Sequence, residues 1–457
     1  MAANAGARPN VIVVGAGPAG LAAALELKRL DVRPIVLERA SAPGGRSGFD
    51  TIRLGESIWR FDRGAEFVAS FYRRTRLLLR ELGIRTLVRL SLDGDVAVDG
   101  RLYRFPMTPA ALVQTPLVSL RSKWRLLLLA LRMMRWRGRL TWSALERAAP
   151  LDDCSATEFF RERIGDDYVD VMLRGTLDSL TLSPAAETSR VIALSQMREA
   201  PLSRLLCPIG GMGIIWEAAA EGLEVHFNED VVRVAFEGKR VRVELASGDI
   251  LIADGAIVAV PAPIAVRLVG DEIPERSLAL SARYSPALKL HLALERPLPG
   301  VRPACPAGRG ELALAGIAVV DAKGTGQIDA GRGAVAIVAS AQLGEQLLGA
   351  SDEVVAQRLV AEAEKLLGRQ LDGVVARSVV RLSEGVPRFG VGWLRQLATM
   401  NAQLGPASIA LAGDYLASPS IEGAIQSAQF AASRVAAFCT RGNVFPSFES
   451  AGTFPFR

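Results

Sequence analysis

The sequence predicts an α/β fold with a Rossmann-type βαβ unit at its start, a mixed-sheet region later and a helical insert between them. Three observations carry this. A glycine-rich turn joins an apolar strand-like run to an amphipathic helix pattern, residues 77–206 read mainly helical, and short alternating strands return from residue 231.

The first element is the apolar run 11–14, followed by a turn and a helix whose Leu21, Ala24 and Leu25 share one face; a second run, 34–37, closes the unit. Gly15, Gly17 and Gly20 form GxGxxG in the turn, with Pro18 and Ala19 inside it. Gly15 permits the tight turn, Gly17 lets a pyrophosphate approach the backbone, and Gly20 lets helix and sheet pack closely. The helix N-terminus, with unpaired N–H groups and a positive dipole end, favours the phosphates. Glu38 ends the second strand at the usual separation of roughly 20 residues, where a carboxylate accepts hydrogen bonds from a ribose hydroxyl and disfavours a 2′-phosphate.

The middle region is rich in Leu, Arg and Ala, with Pro106, Pro109 and Pro116 breaking its start. Within it, residues 121–142 combine Trp124, Leu126 to Leu131, Met133, Met134 and Trp136 with Arg125, Arg132, Arg135, Arg137 and Arg139. This composition suits a helix lying in an acidic membrane interface, and equally a tunnel-lining or dimer-facing helix; its uncharged run is too short to span a bilayer. Strands follow at 231–234, 241–245, 250–252 and 256–260. Residues 286–383 mix strands (289–294, 334–339) with an amphipathic helix (353–367). A strand at 409–412 leads into a final helix at 420–438, and the termini read as tails.

Composition bounds the rest. A chain of 457 residues exceeds one compact core and predicts two intertwined domains. A net charge of +6 is compatible with an anionic substrate, an acidic membrane surface or nucleic acid. Four cysteines lie far apart without a CxxC pair, so no zinc site or disulfide framework is indicated and a reducing cytoplasm is expected. The first nine residues contain no apolar h-region, so no secretory signal is expected. With only His226 and His291, chemistry built on a histidine triad is not expected.

The stretch from Glu38 and Arg39 through Gly44, Gly45 and Arg46 resembles the second dinucleotide-binding element of the flavin amine oxidase superfamily, which includes monoamine and polyamine oxidases, protoporphyrinogen oxidases and phytoene desaturases. Adjacent glycines permit close backbone approach, and Arg46 adds positive charge near phosphates. Three later segments also resemble that superfamily: Phe61 to Ala65, Pro208 to Met212 with Val231 and the strand ending at Pro261, and Leu411 to Tyr415 with Ser420 to Ala424. The resemblance implies non-covalent FAD, since residues 416–423 lack the cysteine by which some relatives attach it. It further implies that Gly64 and Ala65 lie over the flavin ring and that Val231 meets the adenine through its backbone. Gly413 and Asp414 are expected at the ribityl-pyrophosphate region, and Ile421, Glu422 and Ala424 at a helix N-terminus facing flavin N1 and O2, with Ser420 as N-cap.

On the substrate side, Lys289 resembles the lysine that holds a water against flavin N5 in amine oxidases; the alternative is a strand-edge lysine facing solvent. Arg388 and Trp393 resemble the approach to the flavin in protoporphyrinogen oxidases and carotenoid-type desaturases, as partner for an acidic group and aromatic wall; otherwise they are a turn arginine and a core tryptophan. The implied architecture is a discontinuous Rossmann-type FAD-binding domain (8–80, 205–275, 385–440) and a mixed-sheet substrate domain (81–204, 276–384), with residues 100–200 a helical, membrane-facing insert. The expected activity is dehydrogenation of a large apolar or conjugated substrate by hydride transfer to flavin N5. Amine oxidation, a non-redox mutase and a non-catalytic FAD scaffold are the alternatives. A second GxGxxG is missing, so oxygen or a quinone is expected to reoxidise the flavin. The reading includes no metal and no nucleic-acid partner, and a cytoplasmic location, peripheral on the inner face of the membrane.

Overall fold

A computed structural model describes residues 8–91, 94–105, 108–199, 203–308 and 312–440. Pro106, residues 1–7 of the tail expected at 1–9, and the tail expected beyond 440 lie outside the described residues.

The first unit is a parallel sheet whose strands run, in order, Glu224–Phe227, Arg33–Glu38, Asn10–Val14, Gly255–Val258 and Ile409–Leu411. Its central strands are short continuous apolar runs because helices and a second sheet cover both faces. The Pro18–Arg29 helix packs on one face beside the Ile421–Thr440 helix. Alanines on both, among them Ala22, Ala23, Ala428 and Ala432, let them approach closely. On the other face lies an antiparallel sheet of Val231–Glu237, Arg240–Leu245 and Ile250–Ala253, continuous through Val234, Val243 and Leu245 with the core under the helical region.

The second unit is a seven-stranded sheet, in order Val374–Pro387, Tyr284–Leu294, Gly333–Ala339, Leu314–Val319, Ala304–Pro306, Asp95–Val98 and Arg101–Arg104. Ala304–Pro306 pairs parallel to Asp95–Val98, so the sheet is mixed. Tyr284–Leu294 is paired antiparallel on both sides and its two faces have different destinations. Leu288, Leu290, Leu292 and Leu294 pack on the Asp352–Leu367 helix, which is capped by Ser351 and ended by left-handed Gly368. Of the alternate residues, His291 and Ala293 face the hairpin of Phe49–Leu54 and Ser57–Asp62, and Lys289 faces the segment after it at Gly64 and Glu66.

The region expected to be mainly helical holds the helices Leu120–Met133, Ala156–Arg163, Arg174–Thr181 and Arg190–Glu199, but also strands Leu87–Arg89, Asp95–Val98 and Arg101–Arg104. The last two form a hairpin whose turn residues, Asp99 (φ 49°) and Gly100 (φ 74°), are left-handed as an Asp-Gly turn requires.

Candidate active site

A cavity of about 770 Å³ runs from the glycine turn, past Glu38 and Val231, to Lys289 and Gly413. Its wall at the glycine turn is built from backbone. Gly15 is left-handed at φ 100°, and its N–H donates to Leu37 O at 2.7 Å. Gly17 caps the Pro18–Arg29 helix without a side-chain acceptor, and a Cβ added there meets nothing within 4 Å, so it points into the cavity. At Gly45 an added Cβ would sit 3.3 Å from Gly17 Cα, and at Gly64 2.3 Å from Arg46 O. These spacings keep three chain segments close enough to form one cradle. An uncapped helix N-terminus facing open space beside Gly17 fits a pyrophosphate.

Glu38 lines the same cavity. Its carboxylate accepts N–H bonds from Ala16 at 2.6 Å and Ala40 at 2.8 Å, which fixes its orientation toward the cavity that Arg39 and Val231 also line. Pro18, Ala19, Ala65, Ile421 and Ala424 line it too. Gly20 and Gly44 do not. Gly20 works from behind, where a Cβ would lie 1.7 Å from Gly15 O, and Gly44 is a left-handed turn residue at φ 104°.

Arg46 and Asp414 join the two ends of the chain. Arg46 Nη2 donates to Asp414 Oδ1 at 2.9 Å, and Nη1 to Gly385 O at 2.9 Å. Burial works against the arginine's charge, and Asp414 overrides it and holds the guanidinium above its ordinary pKa. The site therefore keeps a permanent cation in the cavity wall.

Lys289 lines the cavity and is 4% exposed. Its ammonium donates to Gly64 O and Glu66 Oε1, each at 2.9 Å. Glu66 also pairs with Lys323 at 3.1 Å, and Lys323 with Asp62 at 3.2 Å. Burial alone would lift the Glu66 carboxyl; Lys289 and Lys323 prevail and hold it far below the usual carboxylate range. Lysine, glutamate, lysine and aspartate thus form a neutral chain of charges under the turn at Gly64. Sequence reasoning missed Glu66 and Lys323. The sequence signal that bears on them is Glu66 directly after the turn at Gly64 and Ala65.

Three expected site residues lie elsewhere. Arg388 does not line the cavity: it bonds Ser285 Oγ and Glu187, each at 2.9 Å, and Glu345. Trp393 is a core residue that packs on Phe389 and donates to Tyr415 O at 3.2 Å. Glu422 is fully buried but turns away, accepting N–H bonds from Arg74 and Thr75 at 2.9 Å and so capping the Arg73–Glu81 helix. Ser420 is the N-cap expected, its Oγ accepting from Gly423 N at 3.1 Å. His291 is packed rather than catalytic, stacked on Phe61 with Nδ1 2.6 Å from Asp50.

Beyond Lys289 the cavity continues between the Arg174–Thr181 helix and the seven-stranded sheet, where Phe105, Leu180, Leu182, Ala315, Ile317 and Val338 line it. Among the described residues, no cluster is placed to hold a metal ion and no helix is long and apolar enough to cross a membrane.

The family model described as flavin containing amine oxidoreductase matches residues 18–436. A phytoene dehydrogenase from Streptomyces griseus is 28% identical over 320 residues, covering 64% of this chain and 61% of that protein. Protoporphyrinogen oxidase 2 from Arabidopsis thaliana is 28% identical over 171 residues, 36% of this chain and 31% of that one. The chain thus matches less than two thirds of either relative's length. A redesigned putrescine oxidase has the same fold, with a TM-score of 0.75 and 19% identity over 94% of this chain and 99% of its own.

Proposed function

The chain belongs to the family of flavin containing amine oxidoreductases, and from that premise we propose that it dehydrogenates a large apolar or conjugated molecule bound beyond Lys289. It is an FAD-dependent oxidoreductase. The bound flavin supplies the two-electron acceptor, and the chain supplies binding, orientation and exclusion of water.

The carrying observation is the apolar end of the cavity. Phe105, Leu180, Leu182, Ile317 and Val338 can desolvate a hydrocarbon or a macrocycle, at about 25 cal/mol per Å² of apolar surface removed from water. Of the acids lining the cavity, Glu66 is paired with two lysines and Asp95 with Arg302 at 3.0 Å, while Glu384 accepts from Ser383 Oγ. The two relatives act, by their names, on phytoene and on protoporphyrinogen, both in keeping with such a lining.

Each chain residue then has a role that needs no proton of its own. Arg46, ion-paired with Asp414, holds the wall closed between the glycine cradle and the strand at Gly385. Lys289 ties the Tyr284–Leu294 strand to Gly64, setting the depth to which a substrate enters. Oxygen or a quinone is the acceptor in this reading, and the exposed apolar face of the Leu120–Met133 helix is where a membrane-dissolved substrate would arrive, the enzyme lying on the membrane surface.

Amine oxidation is kept as a second reading by one observation, the buried cationic Lys289 in the cavity wall. Anaerobic mixing separates the two. Loss of oxidised flavin absorbance with a polyene or a porphyrinogen, and not with primary amines or polyamines, is expected. Bleaching by amines alone overturns the proposal.

A further inference from the structure

The Leu120–Met133 helix carries two different faces set one residue apart. Trp124, Leu127, Leu131 and Met134 form an exposed apolar stripe, 62%, 50%, 55% and 62% accessible. Turned by about 100° from each, as consecutive helical residues are, lie Arg125, Leu128, Arg132 and Arg135. These, with Trp136, form one wall of a second cavity of about 500 Å³. Phe159 and Arg163 of the Ala156–Arg163 helix and Arg190 of the Arg190–Glu199 helix form the other.

Five arginines line this cavity and no carboxylate does. Three are partly committed. Arg125 donates to Ile164 O at 3.1 Å, Arg163 lies 3.4 Å from Glu162, and Arg190 bonds Leu151 O at 2.7 Å and Asp153 at 2.9 Å. Arg163 and Arg190 also lie against the Phe159 ring, 5.9 and 5.0 Å from its centroid, which limits their freedom. Arg132 and Arg135 make no hydrogen bond or ion pair among the described residues. Gathering five like charges is unfavourable unless an anion relieves it, and planar guanidinium forks match a phosphate.

We infer that this cavity is a binding site for the phosphate of an anionic phospholipid headgroup. The inference rests on the membrane-facing reading of this helix and adds a discrete pocket to it. The apolar stripe decides the source: a free phosphate ester needs no Trp124, Leu131 and Met134 beside it, whereas a lipid whose phosphate sits among the arginines has acyl chains to lay against them. No bond is made or broken.

The test is co-sedimentation of the FAD-loaded enzyme with vesicles of phosphatidylglycerol and of phosphatidylcholine. Two variants of equal charge are compared with the unchanged protein. Arg132→Gln/Arg135→Gln removes charge from the pocket; Arg121→Gln/Arg137→Gln removes it from the same segment outside the pocket. The pocket pair is expected to lose at least tenfold more phosphatidylglycerol affinity than the control pair, and the unchanged protein to prefer phosphatidylglycerol. Equal losses in the two pairs overturn the pocket while leaving membrane binding standing as generic charge attraction. Failure of the unchanged protein to bind either vesicle overturns the membrane reading and the pocket together. Unchanged flavin absorbance in both variants confirms that the fold is intact.

Discussion

Gly17 and Gly20 share a motif but exclude a side chain for different reasons. At Gly17 an added Cβ meets no protein atom, while at Gly20 it would lie 1.7 Å from Gly15 O. Gly17→Val is therefore expected to leave a folded, colourless protein, and Gly20→Val to prevent folding; visible absorbance and circular dichroism read the two outcomes. The turn and the close packing at Gly20 were legible, because a turn motif is local. Lys289 was legible only in part. Its inward direction follows from an apolar strand, but its partner Glu66 stands 223 residues away in sequence. The pair predicts coupling: Lys289→Met and Glu66→Gln should each destabilise, and the double variant should be less unstable than their sum by about 1–3 kcal/mol. Urea denaturation of the four proteins measures this, and strict additivity would remove the ion pair from the argument. The position of Arg388 outside the cavity was not legible, because a sequence shows a charge and not its neighbours, Glu187 and Glu345.

The Ile421–Thr440 helix shows how one first turn serves two elements. Its N-terminus opens on the cavity through Pro419, Ser420, Ile421 and Ala424, while Glu422 reaches backward to close the Arg73–Glu81 helix. An acidic residue in a first turn fits either role, so sequence placed the helix and could not aim the carboxylate. Glu422→Ala should cost about 1–3 kcal/mol, the range for leaving buried donors unpaired, and should leave the flavin spectrum of the folded fraction unchanged. A shifted spectrum with undiminished stability would return Glu422 to the cofactor. The hairpin at Asp99 and Gly100 was written in the sequence as alternation around an Asp-Gly turn, but the surrounding run of Leu, Ala and Arg masked it.

Across the whole molecule, buried His291 and the doubly paired Glu66 each contribute to how stability follows pH. Burial, reinforced by Lys289, holds His291 below its ordinary 6.5 despite Asp50, so the unfolded chain takes up a proton there that the folded chain resists. Glu66 is ionised in both states above 4.5 and its stabilisation is then fully present; below 4.5 the unfolded chain is protonated first and the stabilisation is lost. The melting temperature should thus begin to fall below about pH 6.5 and fall more steeply below about 4.5, and Glu66→Gln should flatten the second step. A variant with the same acid profile would overturn this. Alternation and glycine signals revealed which segments are strands, but not the order of the parallel sheet, which depends on distant strands pairing. That sheet places Ile409–Leu411 beside Gly255–Val258, and the Pro18–Arg29 helix against the Ile421–Thr440 helix. A ribosome therefore releases the glycine cradle well before the strand and helix that complete it. Until then the nascent chain displays an unfinished apolar layer, a state that invites chaperone capture and slows maturation. Chains halted before residue 409 are therefore expected to emerge without colour however much of the N-terminal motif they carry, and a yellow truncated chain would overturn this.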